Sequence, residues 1–290
     1  MTRAIGFIGL GVMGFPMAGH LSKHNKISVF NRTQSKSEVW LSKYNGKICN
    51  TPAELAKISD VTILCVGNDD DVRNIVCEKN GILDYVKPGT IIIDHTTTSS
   101  ELPIELNRLL NAKNVYFIDA PISGGEAGAQ SGQLSIMAGG DKESFKQIKS
   151  VLKTYSKFTK LMGASGSGQL TKMVNQICIA GLIQGLSEAM NFSDKVGLET
   201  DEVIEVISKG AAQSWQMENR WQTMLNDNFN HGFAVDLMRK DLDIVIDKAK
   251  DSNINLDVTK IVNEYYKDIQ KAGGGRWDTS SLYKRLKDII

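Results

Sequence analysis

The sequence predicts an α/β domain built on a mostly parallel sheet, followed by an all-helical domain, with a long helix joining the two. Three observations predict it. Short apolar runs alternate with helix-period segments through the first half, the pattern of a parallel sheet covered on both faces. From Gly166 to about Asn191 the apolar residues Leu170, Met173, Val174, Ile177 and Ala180 recur at helical spacing. Beyond that helix no strand pattern returns. These limits place the sheet domain at residues 1–163 and the helical domain at residues 164–290.

The elements follow in order. Ala4–Ile8 reads as a buried strand, and Gly9-Leu10-Gly11-Val12-Met13-Gly14 turns at once into a helix carrying Pro16 in its first turn. Strand, glycine turn and helix N-terminus together make a dinucleotide-binding fingerprint, so the first domain reads as a Rossmann domain. Gly9 serves the tight turn, Gly11 admits a pyrophosphate close to the backbone, and Gly14 lets helix pack on strand. Ile27–Phe30 is the next strand. Its end carries Asn31-Arg32-Thr33 where an acidic residue holds the ribose of NAD. With no carboxylate there and the planar fork of Arg32 present, NADP is favoured, with NAD possible.

Thr51-Pro52-Ala53-Glu54 is a capping box that starts a helix. Val61–Val66, Thr90–Asp94, Val115–Asp119 and Leu134–Ala138 read as strands, with helices over Ser100–Asn111 and Asp141–Tyr155. The strand ends Val66-Gly67-Asn68 and His95-Thr96-Thr97 lie at the carboxyl edge, where such sheets bind ligands. The acidic run Asp69–Asp71 reads as a helix N-terminus. The Ser- and Gly-rich stretch from Asp119 to Gln133 reads as a functional loop able to point backbone N–H groups at a carboxylate. In the second half, helices are predicted from Thr200 to a stop at Gly210, through Trp215–Trp221, and over Ala234–Asp251, Val258–Lys271 and Ser280–Ile290.

Lys172 and Asn175 are three apart and share a helix face. Lys172 falls in the second turn of the long helix, where the positive terminus disfavours an ammonium and pulls a lysine toward acid/base duty. Bulk properties exclude other classes. The chain has 290 residues, 41% hydrophobic and 23% charged, and its net charge of +1 leaves no footprint for nucleic acid or an anionic membrane. No apolar run reaches the roughly 18 residues of a membrane span. Ile5–Leu10 is too short and Gly-rich for a secretory signal. The cysteines Cys49, Cys65, Cys77 and Cys178 form no Cys-x-x-Cys pair, and no metal site is expected. Cys65 and Cys178 lie in apolar runs and read as buried thiols, which suits a reducing cytoplasm.

Four segments resemble the signatures of the β-hydroxyacid dehydrogenases: Phe7–Ala18, Asp119–Gly125, Gly166–Asn175 and Arg239-Lys240-Asp241-Leu242. The order is kept along nearly the whole chain. The resemblance implies a helical domain of the 6-phosphogluconate dehydrogenase type, serving substrate binding and dimerisation. It also implies a homodimer or homotetramer. The glycine loop Gly9, Leu10, Gly11, Val12, Met13 and Gly14 would cradle the pyrophosphate, and Asn31, Arg32 and Thr33 the adenosine end. Val66, Asn68 and Thr97 would line the cofactor, Thr97 near the nicotinamide ribose. Ser123, Gly124 and Gly125 would bind the substrate carboxylate. Lys172 would be the acid/base, Asn175 would position the substrate, and Lys240, Asp241 and Phe233 would complete the site. Gln176, where a second Asn often stands, and Gly67-Asn68 depart from the family pattern. The implied activity is hydride exchange between NADP and a small β-hydroxy acid or its semialdehyde, of the 3-hydroxyisobutyrate type. The alternatives are reduction of glyoxylate or succinic semialdehyde and, in another class, a non-catalytic cofactor-binding scaffold.

Overall fold

A computed structural model describes residues 3–289. In chain order the first unit contains β1 (Ala4–Ile8), α1 (Gly14–Ser22), β2 (Lys26–Phe30), α2 (Gln34–Lys43), β3 (Lys47–Ile48), α3 (Pro52–Ile58), β4 (Val61–Leu64) and α4 (Asp69–Cys77). Then come β5 (Ile91–Asp94), α5 (Glu101–Asn111), β6 (Tyr116–Asp119), β7 (Ile122–Ser123), α6 (Gly125–Ser131), β8 (Leu134–Gly139), α7 (Lys142–Leu152) and β9 (Ser156–Gly163). Helix α8 (Ser167–Lys195) follows, and the chain divides into two compact units between Lys172 and Met173, inside this helix.

The sheet order is β3-β2-β1-β4-β5-β6-β8-β7, with β9 beside β8. The first six strands are parallel, in the doubly wound order that reverses between β1 and β4. β8 runs antiparallel to β6 and β7 and parallel to β9. Two apolar clusters lie on the sheet, one around Phe7, Met17, Trp40 and Ile136, the other around Leu55, Val76, Leu106 and Phe117. Strands β4 and β5 are buried throughout, which is why they read as continuous apolar runs.

Three expectations change. The stretch from Asp119 to Gln133 is no open loop: it holds β7, paired with β8, and the short helix α6. Its alanines favour helix once Gly124 has turned the chain at φ 134°, and His20 Nε2 donates to the last carbonyls of α6. The edge strand β9 was not foreseen, because Lys157 and Lys160 break its apolar pattern. Cys178 is exposed and Cys65 only partly buried, although the surroundings push the Cys65 thiol up to about 12.

The second unit continues along α8 into α9 (Thr200–Ile207), α10 (Trp215–Leu225), α11 (Val235–Asp251) and α12 (Asp257–Lys271), then a 3₁₀ turn at Thr279–Ser281 and helical turns from Leu282 to Ile289. Ile290, the end of the last predicted helix, lies outside the described residues. Helix α9 stops at Ile207, three residues before Gly210. Two further clusters form the core here, one around Ile183, Met238, Val262 and Tyr266, the other around Met190, Ile204, Met224 and Phe229. Among the described residues no helix is long and apolar enough to cross a membrane.

Candidate active site

The glycine loop is held by its neighbours. Gly9 N donates to Phe30 O at 3.0 Å, and Leu10 N donates to Asn31 Oδ1 at 2.9 Å. Gly9 has φ 98°, and a Cβ there would stand 2.2 Å from Cys65 O. A Cβ on Gly14 would stand 2.0 Å from Gly9 O, so helix α1 begins against its own loop only because Gly14 lacks one. Gly11 has nothing within 4 Å of that position. Met13 caps α1 without a side-chain acceptor, and the first turn of α1 carries no acidic residue. Backbone donors at a positive helix end, beside an open glycine, fit a pyrophosphate.

Asn31 Nδ2 donates to Thr33 O at 3.0 Å, which shapes the turn after β2. Arg32 is exposed. It pairs with Asp71 at 3.2 Å. The expectation that no carboxylate stands near Arg32 is therefore corrected. Asp71 comes from the first turn of α4, 39 residues away, where Asn68 Oδ1 accepts from Asp71 N at 2.9 Å. The acidic run does begin a helix, as read. Val66 N donates to Thr96 Oγ1 at 3.1 Å, which joins the ends of β4 and β5.

Residue Gln169, passed over in the sequence, turns out to clamp the loop that carries Thr97. Its Nε2 donates to Thr96 O at 2.7 Å and its Oε1 accepts from Thr98 N at 3.1 Å. Asp119 anchors the same helix start: Oδ1 accepts from Gly166 N at 2.9 Å and Oδ2 from Gln169 N at 3.0 Å. A carboxylate at the end of β6 thus caps α8, and its burial pushes the carboxyl up against those stabilising bonds. Gly124 and Gly125 follow β7 with φ 134° and 62°, a turn that a side chain would strain. Lys172 is buried at 7% exposure, and its Nζ donates to Ile122 O at 2.9 Å. The amine therefore lies beside the peptide that leads into Ser123.

His95, the one histidine at the carboxyl edge, is structural. Its Nδ1 donates to Ala120 O at 2.6 Å, and Nε2 meets the Tyr155 hydroxyl at 2.9 Å. Burial lowers its pKa to about 4, so the ring is neutral and Nε2 accepts from Tyr155. Asp94, beside it, is fully buried, and burial pushes its carboxyl up to about 7.

The second unit holds its own group. Gln176 Nε2 donates to Asp241 Oδ2 at 2.7 Å, Asn175 Nδ2 donates to Gln176 Oε1 at 2.7 Å, and Lys240 pairs with Asp241 Oδ1 at 3.1 Å. Asp241 and Gln176 are both buried. Phe233 is fixed through its backbone: its N donates to Asp278 Oδ2 at 2.7 Å, and its O accepts from Thr279 N at 2.9 Å. Asp278 is fully buried and faces Arg220 at 3.2 Å. Neither residue was anticipated. An Arg in one helix and an Asp fifty-eight positions later carry no local signal.

Two family models match. The NAD binding domain of 6-phosphogluconate dehydrogenase covers residues 4–166, and the NAD-binding domain of NADP-dependent 3-hydroxyisobutyrate dehydrogenase covers residues 166–286. An uncharacterised oxidoreductase of Shewanella frigidimarina is 50% identical over 98% of both chains. A probable 3-hydroxyisobutyrate dehydrogenase-like protein of Arabidopsis thaliana is 36% identical over 98% of this chain and 85% of its own. The structure of Mycobacterium tuberculosis 3-hydroxyisobutyrate dehydrogenase with L-serine superposes with a TM-score of 0.89 at 25% identity, covering 99% of this chain and 100% of that one.

Proposed function

Since the chain belongs to the β-hydroxyacid dehydrogenase family and is an NAD(P)-dependent oxidoreductase, we propose that it interconverts a small β-hydroxy acid of the 3-hydroxyisobutyrate type with its semialdehyde, with Lys172 as acid/base. The observation that carries this reading is the buried Lys172 amine, 2.9 Å from Ile122 O and next to Ser123. The bound nicotinamide supplies or takes the hydride. The glycine loop Gly9–Gly14 would hold its pyrophosphate, Asn31, Arg32 and Thr33 its adenosine end, and Val66, Asn68 and Thr97 would line it, Thr97 near the nicotinamide ribose. Ser123, Gly124 and Gly125 hold the substrate carboxylate. Lys172 Nζ gives its proton to the oxygen of the reduced carbonyl, or takes the hydroxyl proton in the other direction. Proton transfer by a positioned side chain of this kind is worth about 10²–10⁴-fold in rate. In the second unit, the resemblance gives Asn175 a role with the substrate and Phe233 and Lys240 roles with the cofactor.

NADP is the preferred cofactor in this proposal, because Arg32 stands after β2 with no acidic residue in its own turn. Asp71 tempers the preference by sharing the guanidinium, so NAD remains a working substitute. The oligomer is a homodimer or homotetramer. Initial rates with NADPH and NADH across C2–C4 semialdehydes test the activity. Lys172→Ala is expected to bind NADPH with unchanged affinity, by fluorescence titration, and to lose about 10²-fold or more in kcat. A kcat near that of the parent enzyme would remove Lys172 from the chemistry.

A further inference from the structure

The two contacts of the buried Gln169 amide fall on either side of one residue. Nε2 donates to Thr96 O at 2.7 Å, and Oε1 accepts from Thr98 N at 3.1 Å. The Thr96 carbonyl belongs to the peptide that enters Thr97, and the Thr98 N–H to the peptide that leaves it. Peptides are planar, so only φ and ψ of Thr97 lie between these two units. A single side chain grips both and holds the backbone angles between them. A reversed amide would set oxygen against oxygen at Thr96 and N–H against N–H at Thr98, so its polarity is fixed. Other ties on this segment come from the sheet side. Val66 N donates to Thr96 Oγ1 at 3.1 Å, Thr96 N to Asp94 Oδ1 at 2.9 Å, and Ser99 N to Asp69 Oδ1 at 3.0 Å. Gln169 adds the tie to α8.

The start of α8 is seated on the same segment by a second feature. Gly166, at φ 90°, approaches Ser100 so closely that a Cβ would stand 2.6 Å from Ser100 O. Gln169 and Lys172 are three apart on this helix and share a face. The Lys172 amine, 2.9 Å from Ile122 O, is thus carried one turn beyond the side chain that grips Thr97. We infer that Gln169 is a positioning residue that sets Thr97 in register with Lys172. This rests on the reading above, in which Thr97 lies near the nicotinamide ribose and Lys172 moves the proton. Hydride and proton go to the two ends of one carbonyl bond. An error in register between the groups that present them costs rate, and leaves the grip on pyrophosphate and adenosine as it was.

The substitution Gln169→Met keeps the length, removes both amide groups and suits a buried position. In the full-length enzyme it is expected to lower kcat/KM for the semialdehyde by about 10- to 100-fold, while the Kd for NADPH, by fluorescence titration, changes by less than about threefold. In a Thr97→Ala background the same change is expected to cost less than about threefold, because the side chain it sets in place is gone. A general loss of stability would give the same factor in both backgrounds. Gln169→Asn, whose amide is one methylene short, carries the same measurements if the Met variant does not fold. Hydrogen exchange gives a readout that needs no turnover. A peptide covering residues 95–99 is expected to exchange at least about tenfold faster in the variant, with β5 unchanged. Faster exchange there in a protein that turns over no semialdehyde would uphold the hold of Gln169 on Thr97 and overturn the reading of the site it rests on. Unchanged exchange at residues 95–99, an unchanged kcat/KM, or an equal loss in Thr97→Ala would overturn the positioning role.

Discussion

At the scale of single residues, Asp94 and His95 stand side by side at the end of β5 and respond to pH with opposite sign. Burial raises the Asp94 carboxyl from 3.8 to about 7, and Oδ2 finds no hydrogen-bond partner. In that window the folded state keeps a proton that the unfolded state has released. Stability from Asp94 is therefore full below about pH 4 and is lost as pH rises toward about 7. His95 is depressed from 6.5 to about 4, so its contribution is lost as pH falls through that range. Asp94→Asn cannot titrate, yet its Oδ1 can still accept from Thr96 N. The melting temperature of this variant, taken relative to the parent, is expected to climb as the buffer goes from about pH 4 to about pH 8. The His95 contribution cancels in that difference. Thermal melts across the range measure it, and a flat difference would mean that Asp94 ionises in the folded protein as easily as in the unfolded one.

At the scale of elements, the start of α8 depends on a strand rather than on its own sequence. The helix has no acidic residue in its first turn, and Asp119 from β6 supplies the missing acceptors. Gly139 and Gly168 lie so near Asp119 that a Cβ on either would come within 2.7 Å of its carboxylate oxygens. Asp119→Ala is expected to destabilise the fold by about 2–4 kcal/mol, since it strands buried N–H groups. It should also lower kcat more than a comparable change on α7, because Lys172 rides on the second turn of α8. Urea denaturation and steady-state rates check the two halves of that expectation. The same feature shows what could be read from sequence. The strands β4, β5 and β6 and the helices α3, α5 and α11 announce themselves by apolar runs, caps and spacing. The glycine loop is legible because three glycines with a strand before and a helix after have one physical use. Helix α2 was missed because only Ser37 and Trp40 of its ten residues are buried, which leaves no apolar stripe. Asp71 beside Arg32, Gln169 around Thr97 and Asp278 behind Phe233 were invisible for another reason. Each joins residues that only the folded topology brings together, and nothing local marks a polar side chain whose partner is dozens of positions away.

At the scale of the whole molecule, α8 carries a surface that one copy of the chain leaves bare. Val174, Cys178, Leu182 and Phe192 are exposed on it, Val174 at 60% and Phe192 at 66%. Between them Gly181 and Gly185 have nothing within 4 Å of a Cβ position, so a second backbone could approach closely there. Large apolar side chains spaced around small residues on one helix suit a two-fold partner, because a two-fold axis sets each bulky residue of one chain against the other chain's small ones. An exposed apolar strip along a helix of 29 residues is more than soluble monomers ordinarily leave uncovered. The enzyme is therefore expected to run as a dimer or larger in light scattering at micromolar concentration, with a melting temperature that rises with protein concentration. Leu182→Glu combined with Phe192→Glu should shift it toward monomer, since burying two carboxylates without partners opposes association. Because neither residue is among those assigned to the site, loss of activity in that variant would track loss of the second copy. Full activity in a monomeric variant would show that each chain works alone, and a monomeric parent enzyme would sink the assignment of this face to a second copy.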